Sequence, residues 1–309
     1  MDVKLKQRGG ASGVPRAAGT SPPEGGGAAA GPGASAGAPG ADRRGGRVRA
    51  WGRAVPDAAL GVLGVALLAG ILEVLPRVGL VSSEYLPPFS DMASALGDMA
   101  GEGGFWHAVL DTAKGWGYGL AVSVAAGTVL GLLIGSVDIL RKATASTIEF
   151  LRPIPSVALV PLAVLVYGTG LESKLLLVVY ASFWPVLLQM LHGVQDVDPV
   201  ARDTAACYRL TAWARLRHVV WPTALPYLMT GVRLAASVAL VLAVTAELLI
   251  GSPGLGSEIA LAQSSNAVPA MYALVIVTGA LGVLVNILTR AVEKRVLSWH
   301  ASARAEAVA

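Results

Sequence analysis

Apolar residues along this chain gather into long runs separated by short polar segments, with neither the strict alternation of a strand nor the single stripe of a surface helix. A helix needs roughly 20 predominantly apolar residues to cross hydrocarbon. Runs of about that length lie at 58–75, 115–136, 143–167, 175–191, 227–250 and 271–288. The pattern predicts an all-α integral membrane protein with about six transmembrane helices. Only Glu73 interrupts the first run. The third is broken by Arg152-Pro153-Ile154-Pro155, where two prolines remove backbone donors and disfavour helix just before each ring. Between the first two runs, Ser90 is expected to cap a short helix through Gly97. That helix would carry Met92, Ala95 and Leu96 on one face and lie flat on the outer surface.

Small residues fall at every fourth position of the second run: Gly115, Gly119, Ser123, Gly127, Gly131 and Gly135. Such a row is a smooth ridge that lets a neighbouring backbone come close. The fifth run repeats it with Gly231, Ala235, Ala239 and Ala243, and the next member is Glu247. An acid in a packed membrane row is costly unless it is paired or meets water. Two readings follow: a structural glutamate near the outer helix end, or one that steadies a gate or lines a pathway. Broken backbone at membrane depth is tolerated only where protein or a water-filled cavity satisfies it. Glu149, Arg152, Pro153 and Pro155 are therefore expected beside a transport path, or at a kink satisfied by a neighbouring helix.

Composition agrees with a membrane protein. Of 309 residues, 54% are hydrophobic and 14% charged, against about 25% charged in soluble domains. Residues 1–53 carry a net charge of +6 and the remainder −2, so the basic balance belongs to the tail and leaves no nucleic-acid footprint. That tail is rich in Gly, Ala and Pro and is expected to be disordered and dispensable. Its Arg43, Arg44, Arg47, Arg49 and Arg53 could meet anionic membrane lipid. A membrane-spanning body is expected over 54–300, with a short tail at 301–309. With the N-terminus inside, cytoplasmic segments hold nineteen Lys and Arg and the outside segments three (Arg77, Lys114, Lys174). This predicts cytoplasmic N- and C-termini. The single Cys207 and four scattered histidines offer no metal site and no nucleophile–base constellation, so no enzyme is expected. The sequence has no Gly-x-x-x-x-Gly-Lys-[Ser/Thr], hence no phosphate-cradling loop for ATP.

The 193–225 segment is too polar to span and too long for a turn. It reads as a helix (199–208), a turn, a second helix (212–220), and Leu225-Pro226 leading into the fifth run. Val200, Ala201, Thr204, Ala205 and Tyr208 form an apolar stripe at helical spacing, suited to docking in a groove of another protein.

Asp203-Thr-Ala-Ala-Cys-Tyr-Arg209, followed by Leu225-Pro226, resembles the signature loop of binding-protein-dependent ABC importer permeases. That signature reads Glu-Ala-Ala, three residues, Gly, and later Leu-Pro. Leu151-Arg-Pro-Ile-Pro155, Gly193-Val-Gln-Asp-Val-Asp-Pro199, Gly231-Val-Arg-Leu-Ala235, Ala246-Glu247 and Gly254-Leu-Gly256 are similar to the branch that imports sulfonates, taurine and nitrate. The resemblance covers about residues 86–299. It implies one helix plus a five-helix permease core in a bacterial inner membrane. The partners it implies are a cytoplasmic ATPase dimer that binds the ATP, an extracytoplasmic solute-binding protein and a second permease copy. The substrate would be a small anion, or in another reading a vitamin precursor. An ion-coupled secondary transporter is the alternative of another class, but it would need paired broken helices, and the sequence shows one. Two departures stand in the loop. Asp203 replaces the usual Glu, and Arg209 replaces a Gly that suggests φ > 0. Either the turn has another shape, or Arg209 bears a strain of roughly 1–2 kcal/mol and gains a partner contact.

Overall fold

Helices are the only regular elements in residues 57–298, the part of the chain that the computed structural model describes. The tails expected at 1–53 and 301–309 lie outside the described residues. In chain order the helices are α1 (Asp57–Arg77), α2 (Phe89–Ala100), α3 (Gly103–Ser136), α4 (Asp138–Leu151), α5 (Val160–Tyr167), α6 (Leu171–Gln195), α7 (Pro199–Cys207), α8 (Ala212–Arg215), α9 (Trp221–Ile250), α10 (Leu255–Ser264) and α11 (Val268–Val296). A 3-10 turn, Ser156–Leu159, precedes α5, and a π turn, Leu216–Val220, joins α8 to α9.

Among the described residues, four stretches are long and apolar enough to cross a membrane: α3, α6, Ala212–Ile250 and α11. α4 and Ser156–Tyr167 make a fifth if counted as one span, bent by 82° at the prolines. The expected six runs thus become four long helices, one broken element and the separate 21-residue α1, which packs on α2. Several helices outrun the expected runs, and two of the changes bear on the site. α3 begins twelve residues before the expected span, and α6 begins at Leu171, so Lys174 sits in a helix and not in an outer loop.

Ser90 does not cap α2. The cap position is Pro88, and the Ser90 amide donates to Glu73 Oε2 at 2.9 Å. Glu73 also pairs with Arg77 at 2.5 Å. The one charge in the first run therefore supplies, from another helix, the carboxylate favoured at a helix start. Met92 of α2 is buried, with Ala95 and Leu96 half-buried on the same side.

α3, α6 and α9 form the centre. Each small residue of the α3 row meets the α6 residue fifty-nine positions later: Gly115 faces Lys174, Gly119 Val178, Gly127 Val186, Gly131 Met190 and Gly135 Val194. Ser123 and Ser182 share a hydrogen bond of 2.9 Å at the missing step. A constant offset means that the helices run parallel. A Cβ on Gly131 would lie 2.6 Å from Met190 Cβ, so the backbones approach as closely as side-chain-free positions permit. The α9 row packs beside it on α6, with Gly231 facing Val186 and Gln189 and with Ala239 and Ala243 clustered around Val178. Ala235, Ala239 and Ala243 are fully buried.

Candidate functional site

Both small-residue rows end on one buried ion pair. At the N-terminal end of the α3 row, Gly115 leaves room for the Lys174 stem, whose Cε would be 2.6 Å from an added Cβ. At the end of the α9 row stands Glu247, and Lys174 Nζ donates to its Oε1 at 2.9 Å. An ammonium has three protons to place. Lys174 places the other two on the carbonyls of Asp111 and Pro253, each at 3.1 Å. Glu247 Oε2 accepts from Thr112 Oγ1 (2.8 Å) and the Gly256 amide (3.0 Å), and Thr112 Oγ1 accepts from the Leu255 amide (2.9 Å). Neither charge is exposed or short of partners, the condition for tolerating such a pair away from water.

The same carboxylate sits at the start of α10, where an anion is favoured by the unpaired amides and the helix dipole. Gly254-Leu-Gly256 fits around it. Gly254 has φ 152°, and an added Cβ would run into the Glu247 carboxylate; one on Gly256 would strike the Val244 carbonyl. Glu247 thus ties α9 to α3, α6 and α10. It lines neither of the cavities at the α4–α5 break.

Those cavities lie elsewhere, at Leu151–Pro155. Tyr180 Oη donates to the Leu151 carbonyl at 2.7 Å, satisfying one group freed by the prolines. One cavity of about 500 Å³ is bordered by Arg141, Glu149, Arg152 and Pro153. A second, of about 560 Å³, opens between the break, α6 and α9, and takes in Arg152, Pro153, Pro155, Tyr180, Trp184, Gln189 and His192. Glu149, Arg152, Pro153 and Pro155 are all exposed beside these spaces. The structure brings these four together and leaves Glu247 apart.

The 193–225 loop is fastened at both ends. Asp198 Oδ1 accepts from the Val200 amide at 2.8 Å and caps α7, with Pro199 in the first helical position. Arg202 donates to the Val194 carbonyl at 2.6 Å, and Tyr227 Oη to Asp196 Oδ2 at 2.7 Å. Gly193 lets α6 touch α9: its Cβ would be 2.8 Å from Ala224 Cα. Thr211 caps α8 through the Ala214 amide.

Within α7 the expected stripe divides. Ala205 is buried and Ala201 half-buried, while Val200 (70% exposed), Thr204 and Tyr208 (79% exposed) face outward with Asp203 and Arg209. Leu225 packs on the core of α6 and α9, and Pro226 lies inside α9. Arg209 has φ 51°, so the turn keeps the left-handed geometry that the family glycine suggests, and the alternative of another turn shape falls. Its amide donates to Ala206 O and that of Leu210 to Ala205 O, closing the end of α7.

Sequence reasoning missed Lys174, Thr112, Gln189, His192 and Trp184. Glu247 demanded a cation, and only Arg77, Lys114 and Lys174 stood in the outer segments, so the sequence narrowed its partner to three.

A family model described as "Binding-protein-dependent transport system inner membrane component" matches residues 127–298. The chain is 30% identical over 251 residues to the taurine transport system permease protein TauC of Escherichia coli (strain K12), covering 77% of this chain and 90% of that protein. It is 28% identical over 247 residues to the putative aliphatic sulfonates transport permease protein SsuC of Bacillus subtilis (strain 168), covering 78% and 88%. Among solved structures, the MetNI methionine ABC transporter in inward-facing conformations aligns with a TM-score of 0.53 at 16% identity. That alignment spans 61% of this chain and 94% of the other and establishes a shared fold.

Proposed function

The chain belongs to the family of binding-protein-dependent transport system inner membrane components, and on that premise we propose that it is the permease subunit of an ATP-driven importer of a small anion. Members of this family are transport permeases that work with an ATPase and a solute-binding protein. The observation that carries the substrate class is the likeness, along three quarters of the chain, to permeases for taurine and for aliphatic sulfonates. In this reading two copies form the pore, each with cytoplasmic termini. The exposed Val200, Thr204 and Tyr208 of α7 enter a groove of the ATPase, with Asp203 and Arg209 at its rim. Closure of the ATPase pair on ATP moves α7. The Arg202–Val194 and Tyr227–Asp196 bonds pass that movement to α6 and α9, rocking the spans between outward- and inward-open states.

Reconstitution with the ATPase and binding protein of the same gene neighbourhood tests this. Uptake of taurine, alkanesulfonates or nitrate into proteoliposomes should require both ATP and the binding protein. Uptake driven by an ion gradient without ATP would overturn it.

A further inference from the structure

We propose that the second cavity at the α4–α5 break is a way-station for small oxyanions on the translocation path, with Arg152 as its cation. This rests on the permease reading and adds where the charge of the solute is met, and by which groups.

The charge pattern of the cavity carries the inference. Its walls contain Arg152 and His192, and the neutral polar side chains Ser156, Tyr180, Trp184 and Gln189, but no Asp or Glu. The neighbouring cavity differs. Glu149 shares it with Arg152 and Arg141, and Asp138 pairs with Arg141 at 2.7 Å, so its field is mixed. Among the described residues, the Arg152 guanidinium has neither an ion pair nor a hydrogen bond. An ionisable group inside an apolar run faces a cavity or a pathway, since hydrocarbon does not tolerate it. A guanidinium presents a planar fork that matches two oxygens of a sulfonate or nitrate. Trp184, in the same wall, keeps its indole N–H buried with no acceptor, a donor left over after the protein's own contacts are made. Gln189 and His192 make no side-chain hydrogen bond among the described residues either. Open donors with one formal positive charge suit weak, transient binding, which passage requires.

Trp184 also serves as the reporter. The assembled transporter, in nanodiscs of zwitterionic lipid, is titrated with iodide, caesium and neutral acrylamide as fluorescence quenchers. The Trp184 contribution is the difference from Trp184→Phe, which keeps the ring packing against Tyr180 and Phe183. Iodide should quench that contribution several-fold better than caesium, and methanesulfonate should relieve the quenching. Arg152→Gln should abolish the preference for iodide while leaving acrylamide unchanged, and Arg152→Lys should retain it. Equal quenching by iodide and caesium, or a preference that survives Arg152→Gln, overturns the proposal. Loss of the preference when phosphatidylglycerol is added would assign the site to lipid headgroups and overturn it too. Because this readout needs no uptake, a failed transport assay with intact iodide preference sinks only the permease reading.

Discussion

Lys174 and Glu247, seventy-three residues apart, form an ion pair of 2.9 Å with both side chains buried, at the point where the small-residue rows of α3 and α9 end. Removing one member of such a pair leaves the other charge buried and uncompensated, at a cost of about 3–5 kcal/mol. Glu247→Gln and Lys174→Met should each lower thermal stability in detergent by that amount. The double variant should be more stable than either single variant, because no bare charge remains. A Glu247→Gln protein as stable as wild type would remove the ion pair from the fold's requirements.

Substitutions along the α3 row should separate close approach from helix propensity. Gly131→Ala puts a methyl within 2.6 Å of Met190 Cβ, and overpacking of this kind costs roughly 1–3 kcal/mol. Gly117→Ala, on the same helix, meets nothing within 4 Å. There the better helix propensity of Ala should stabilise by about 0.5–1 kcal/mol. Folded yield and thermal unfolding of the two variants should move in opposite directions.

Tyr208 is the large exposed aromatic at the end of α7. An aromatic anchor truncated in a partner's groove commonly costs 1–3 kcal/mol or more, whereas rim charges contribute about 0–1 kcal/mol. Tyr208→Ala should therefore weaken ATPase pull-down by roughly tenfold or more without reducing the permease in the membrane. Asp203→Ala should do less. Full ATPase retention by Tyr208→Ala, Asp203→Ala would mean that α7 is not the docking element.

Arg209→Gly removes a side chain from a left-handed position and should raise stability by up to about 1 kcal/mol if the side chain has no partner. If Arg209 touches the ATPase, the same variant should gain stability alone yet lose pull-down and transport-coupled ATP hydrolysis. Measuring both properties on one preparation distinguishes these outcomes.

The parts of this fold legible in the sequence are those set by local pattern. The small-residue rows, the broken third run and the Gly193–Pro199 connection each depend on residues close in the chain. Pairing across the bundle was not legible. Lys174 looked like a loop charge because only the packed structure extends α6 outward to Leu171 and lays it against Gly115. Glu73 looked like a flaw in a span, since the amide that it holds, at Ser90, belongs to a helix not yet placed. The α7 stripe looked continuous because helical spacing alone does not tell which flank of a short helix the π turn Leu216–Val220 covers.

The constant fifty-nine-residue offset between α3 and α6 has a mechanical corollary. Sliding one helix along the other would drive Val178, Val186, Met190 and Val194 over the crests between their notches all at once, and tilting would pry apart backbones with nothing compressible between them. The two helices should therefore behave as one strut. α6 alone is about 37 Å long at 1.5 Å per residue. A push delivered where Val194 meets Arg202 would thus carry α3 along with α6 toward the far end, at Lys174. The hinges of the machine would then have to be sought away from this pair, in the 82° bend between α4 and α5 and the π turn ahead of α9.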